Sequence, residues 1–245
     1  MLRFALAGIP VGVHASFLII VVVSPSNRFE DMAVWVVIAF LAVLAHEAGH
    51  AFVARHYGAE PVAITLFALG GVTTFPATAD LTPKRRLVIA AAGSLVGIVL
   101  GGMVWLLWNA GVFDDVSSSV RFAAFGFMWA TIGWGLLNWI PIRPLDGGAM
   151  LTSFLEIVMP ARALTVAKVI STLTGAVAVV VLWRMGSTFG AVFVALITLA
   201  GLRSEGTEGA QPPTTAGEVP VTRAGDLSDD EDARRPPGPP PSFPI

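Results

Sequence analysis

From Met32 to Ala54 the chain runs almost unbroken through apolar residues, and the ionisable side chains that interrupt the run are His46, Glu47 and His50. About 20 apolar residues suffice for a helix to cross a bilayer. Hydrocarbon offers the backbone no hydrogen-bond partners, so a run of this kind is held as helix, which satisfies its own amides. Helical rise places His46 and His50 on one face, about 6 Å apart along the axis. Ionisable groups at such depth are costly, and those retained there carry function. His46-Glu47-Ala48-Gly49-His50 also has the spacing with which two imidazoles take one Zn2+ while the intervening glutamate serves as general base.

The rest of the chain has the same character. Of 245 residues, 55% are hydrophobic and 13% charged, which is membrane rather than soluble composition. A net charge of −2 argues against a nucleic-acid partner, and with no cysteine any metal must be held by His, Asp or Glu. Six spans are predicted: Phe4–Ser24, Met32–Ala54, Leu87–Ala110, Phe122–Ile142, Ala163–Trp183 and Met185–Leu202. The first begins like a signal peptide but has no convincing small-x-small cleavage site, so it is read as a retained span. Gly8, Pro10 and Gly12 within it move its expected helical start toward His14.

Basic residues in short loops set the orientation. With the N-terminus inside, Arg3, Arg55, Lys84, Arg85, Arg86, Arg143, Arg162, Lys168 and Arg203 are cytoplasmic, against Arg28, Arg121 and Arg184 outside. A cell-membrane, multi-pass protein with both termini cytoplasmic is therefore expected. Between spans two and three, Val62, Ile64 and Leu66 alternate, Gly70-Gly71 marks a turn, and Val72–Phe75 is rich in β-formers. This predicts a small β-hairpin at the cytoplasmic face. The expected fold class is thus an all-α polytopic membrane protein of about six helices with one hairpin. Residues 1–203 form the membrane domain, and the Pro-rich acidic tail 204–245, lacking any apolar period, is expected to be disordered.

A catalytic zinc usually has a third protein ligand and an open position. The candidate is Asp146, in Asn138-Trp139-Ile140-Pro141-Ile142-Arg143-Pro144-Leu145-Asp146-Gly147-Gly148. Spans two and four are parallel under the predicted topology, so His46, His50 and Asp146 share one leaflet. Pro141 and Pro144 break the helix and free Asp146 from its pitch.

These two motifs together resemble the paired motifs of the site-2 protease family of intramembrane zinc metalloproteases, over roughly Gly8 to Gly148. The resemblance implies His46, His50 and Asp146 as ligands of one Zn2+ per chain and Glu47 as catalytic base. It implies Asn138 as a polar group near the scissile carbonyl, an oxyanion donor; the plainer reading is that Asn138 satisfies backbone freed by Pro141. Single-span membrane proteins, shortened by an earlier cut, are the implied substrates. Ala91-Ala92-Gly93-Ser94 resembles the family's Ala-Gly-Pro segment but lacks its proline, and the PDZ or CBS domains of many members are not expected.

Plainer roles are expected elsewhere. His14 is read as an interfacial or capping residue, His56 as an interfacial anchor, and Trp129, Trp134 and Trp139 as packing or belt residues. Gly93, Gly97 and Gly101 are read as a close-packing face. Two other classes compete with the protease: a metal-ion transporter, and a catalytically silent protein that binds membrane clients. The hairpin strands are the candidates for holding an unwound client by edge pairing.

Overall fold

In the computed structural model the run carrying His46 is one continuous helix, α1 (Phe29–His56). Residues 1–203 are described, apart from 69, 77, 78 and 80, and Arg203 is described by its backbone alone. The predicted tail lies outside the described residues. Glu30 and Asp31 sit in the first turn of α1 and Arg55 and His56 in the last, each sign at the end of the helix dipole that favours it. Helix α2 (Pro83–Asn109) starts with Pro83 after Thr82, whose side chain accepts from the Arg85 amide. A third long helix, Ser118–Asn138, consists of α3 (Ser118–Met128), a π-helical stretch (Trp129–Gly133) and α4 (Trp134–Asn138). After a break come α5 (Asp146–Val158), α6 (Ala163–Arg184) and α7 (Thr188–Arg203). Among the described residues four helical segments are long and apolar enough to cross a membrane, and Thr188–Leu202 is a shorter apolar helix.

The expected first span is not a membrane-length α-helix. Residues Leu2–Leu6 and Ile9–Val13 are antiparallel strands β1 and β2, joined at Ala7 and Gly8, which both have positive φ. Two such residues are what a tight hairpin turn requires. A 3-10 helix follows at Ala15–Val23, capped by His14, whose imidazole accepts from the Ser16 amide. The plainer role given to His14 therefore holds. Nine residues at 3-10 rise cover about 18 Å, short of a hydrocarbon core of about 30 Å. The stretch instead packs along α1, where the Trp35 indole N–H donates to the Ile20 carbonyl at 3.0 Å.

The predicted hairpin is present as β3 (Ala63–Phe67) and β4 (Gly70–Thr74), but it is half of a sheet of four strands in the order β1-β2-β3-β4, with β2 and β3 parallel. The fold is therefore mostly helical with a small sheet, not all-α. Pro10 lies one residue before the register shared with β3, so its missing N–H interrupts no bond to that strand. Ile9, Val11, Ile64 and Leu66 are all buried, and they join the sheet to α1 through one core. The sheet lies beside the last turns of α1. Gly71 packs against Glu47, nine residues or about 14 Å before the helix ends.

Candidate metal centre

His46, Glu47 and His50 are buried on the inner face of α1, where close approach to α2 is possible because position 49 is glycine. A Cβ on Gly49 would lie 2.7 Å from the Ala92 carbonyl oxygen. Gly93 faces back in the same way, and a Cβ there would overlap the His50 imidazole. The imidazoles of His46 and His50 lie with centroids 4.7 Å apart.

Asp146 reaches them because the third long helix stops at Asn138 and a new helix starts at Asp146 itself. Gly147 and Gly148 pack directly on the backbone of residues 139–143, which folds the break tightly. From behind, the buried Ser171 of α6 accepts the Arg143 amide at 2.8 Å, and Gly201 of α7 packs on the Arg143 carbonyl. The last two helices thus brace the loop that delivers Asp146.

The result is a tight triad. His50 Nε2 is 3.1 Å from His46 Nε2, and Asp146 Oδ2 is 3.2 Å and 3.3 Å from the two nitrogens. A tetrahedral ion with ligand bonds of 2.0–2.1 Å separates its ligands by about 3.4 Å, so these atoms fit a Zn2+-sized ion. His50 Nδ1–H donates to the Ile89 carbonyl at 2.7 Å, which leaves Nε2 with its lone pair toward the triad. Ser94 Oγ donates to Asp146 Oδ2 at 3.3 Å. The Asn138 side-chain amide lies 3.4 Å from His46 Nε2, so it faces the triad rather than the broken backbone.

Glu47 stands apart from the triad. Its carboxylate borders a cavity of about 340 Å³, shared with His50, Asp146, Thr73, Arg86 and Ser153. A buried carboxylate needs a donor, and Thr73 on β4 supplies one. Its hydroxyl is 2.8 Å from Glu47 Oε2 and 3.0 Å from the Glu47 carbonyl oxygen, and donates to one at a time. Arg86 pairs with Glu156 of α5 beside the same cavity.

Gly71, Gly93 and Ser94 escaped the sequence reading as site residues, and Thr73 entered it only as part of a strand that could hold the client, not as a partner of Glu47. A signal existed for two of them. Ser94 is the one hydroxyl residue between Leu87 and Ala110, and it follows a glycine. Gly97 and Gly101 behave as the packing face expected, set against the Thr131 carbonyl and hydroxyl. Gly93→Ala should weaken metal affinity about 10–100-fold by displacing His50, the scale seen for groups that orient ligands. Competition with a chelator measures this, and unchanged affinity would place His50 outside the ligand set.

Helices of spanning length around a cluster of His46, His50 and Asp146 that could hold a metal ion define a polytopic membrane protein. The solved Site-2 Protease from Methanocaldococcus jannaschii matches this fold with a TM-score of 0.60 and 25% identity, over 82% of this chain and 95% of its own. A zinc metalloprotease of the same organism is 32% identical over 158 residues, 62% of this chain and 44% of its own length. The zinc metalloprotease candidate Rip3 of Mycobacterium tuberculosis is 34% identical over 121 residues, 49% of this chain and 30% of its own. No family model matches. The chain is thus similar in sequence and in fold to the site-2 protease family, and it is a multi-pass membrane protein. It spans less than half the length of these curated relatives.

Proposed function

We propose that the protein is a zinc-dependent intramembrane endopeptidase that cuts single-span membrane proteins within or beside their membrane segments. What carries this reading is the separation of three ligand atoms, at 3.1–3.3 Å, from a fourth ionisable group, Glu47, that lines the adjoining polar cavity. A structural metal site would close with a fourth ligand and leave Glu47 without a task.

His46, His50 and Asp146 would hold one Zn2+, which when bound polarises the scissile carbonyl and acidifies water. Glu47 takes the proton of the attacking water on its carboxylate and returns it to the leaving nitrogen. Thr73 keeps that carboxylate turned into the cavity. The Asn138 amide steadies the charge that develops on the carbonyl oxygen. In orientation, both termini and the polar cavity are cytoplasmic.

The client must be unwound, and β4 is placed to hold it. The His14 amide donates to the Leu66 carbonyl, so Leu66 and Ile64 turn their backbone groups toward β2. Alternation turns Thr65 toward Val72, which leaves the backbone groups of Gly71 and Thr73 pointing to the outer edge. Among the described residues no strand covers that edge. Ile64, by contrast, is in a central strand and buried, so proline there would disturb the sheet itself. Thr73→Pro should abolish cleavage of helical clients with zinc content unchanged, while Thr73→Val, which keeps the N–H, should retain measurable activity. Equal rates in the two variants would remove edge pairing.

Among the described residues only one cluster of three metal-capable side chains forms, so a transporter would lack a second station. Comparative membrane proteomics of cells carrying wild-type or Glu47→Gln protein tests the proposed activity: a shortened single-span client should accumulate with the variant. Metal uptake into vesicles that survives Glu47→Gln, with no such client, would favour transport instead.

A further inference from the structure

A second cavity reaches the candidate metal centre at His46. It has a volume of about 180 Å³, lies between the 3-10 helix, α1 and the π-helical stretch, and has His46 in its wall. Apart from that it is lined chiefly by apolar groups, including Ala39, Ala42 and Val43 of α1 and the rings of Trp35, Trp129 and Trp134. Two polar groups on its wall are already engaged. The Thr131 hydroxyl donates to the Phe127 carbonyl at 2.7 Å, and the Trp35 indole donates to Ile20. Its lining and that of the polar cavity have no residue in common.

The space has a local origin. A π-helical turn carries an extra residue and widens the helix, and Gly97, Gly133 and Gly135 contribute no side chains to fill the gap. An apolar cavity of about 150 Å³ stays dry and accepts a benzene-sized group, so this one admits a side chain of that class. Ala42 precedes His46 by one helical turn, which puts the cavity about 6 Å from the level of the ligand nitrogen's own residue.

We propose that this cavity is a specificity pocket, which receives one large apolar side chain, aromatic or branched aliphatic, from the client residue next to the bond to be cut. The inference rests on the protease reading above. Under it the client backbone lies extended in the polar cavity, past Glu47 and His50. A residue at the metal then has an apolar recess to enter, the one with His46 in its wall.

The test uses a synthetic single-span peptide in detergent, with Ala, Leu or Phe placed in turn along its membrane segment. Binding is measured to zinc-loaded Glu47→Gln protein and cleavage to the wild type. At one position Phe and Leu should outrank Ala by about tenfold or more, the scale on which an apolar pocket discriminates. Ala42→Leu, which fills the pocket, should bring that ratio to within about twofold. Val43→Ala, which enlarges it, should raise Phe over Leu. Zinc content of each variant reports that the site has folded. A wild type indifferent at every position overturns the proposal, as does a preference unmoved in both pocket variants. A co-purified lipid lost on Ala42→Leu, with no peptide preference, overturns it in favour of an acyl-chain site. Selective binding by Glu47→Gln without cleavage by the wild type leaves the pocket standing and removes the protease reading instead.

Discussion

Glu47→Gln is expected to keep one zinc ion per chain and to lower peptide cleavage by about a thousandfold or more. Glu47 offers no atom to the triad, so its charge is dispensable for metal binding. The amide also preserves the local packing, because a glutamine oxygen can still accept from Thr73 Oγ1, which now sits 2.8 Å from Glu47 Oε2. What disappears is the acceptor for the proton of the attacking water, and general-base catalysis is worth about 10²–10⁴ in rate. Zinc analysis of the purified variant, beside single-turnover cleavage of a membrane peptide, measures both quantities. Loss of zinc together with activity would make Glu47 a structural residue, and retained activity would move the base elsewhere.

Asp146→Ala is expected to leave the purified protein with less than about a tenth of its zinc. The carboxylate contributes the single oxygen that completes the triad, 3.2 Å and 3.3 Å from the histidine nitrogens. Two imidazoles alone do not make the three-ligand site that holds catalytic zinc. The fold should survive the change, because alanine is well suited to a first helical turn and the loop keeps its bond from Arg143 to Ser171. Thermal unfolding of the apo proteins, wild type and variant, should therefore coincide closely. Full zinc retention would take Asp146 out of the ligand set. A large drop in apo stability would instead make Asp146 a folding residue.

Much of this site could be read without coordinates, because the constraints behind it are local or topological. The i, i+4 spacing of His46 and His50 fixes a shared helix face wherever the helix lies. Counting crossings alone brings Asp146 to the same leaflet, and Pro141 and Pro144 announce the break that lets a new helix begin at Asp146. The four long helices follow from hydropathy for the same reason: in hydrocarbon a backbone must bond to itself.

The first segment resisted because a strand buried among its neighbours is as apolar as a span. Val11 and Val13 have the same composition whether they face lipid or a parallel partner, and only pairing with Ile64 and Leu66 distinguishes the two. The hydroxyl of Thr73 on Glu47, the contact of Gly93 with His50 and the recess beside His46 join residues from elements far apart in the chain. Sequence by itself determined the candidate cluster of His46, His50 and Asp146 and its membrane setting, since periodicity and hydropathy are properties of the chain. Tertiary structure decided which strand edge, hydroxyl and apolar recess surround that set, since packing between distant segments leaves no period to read.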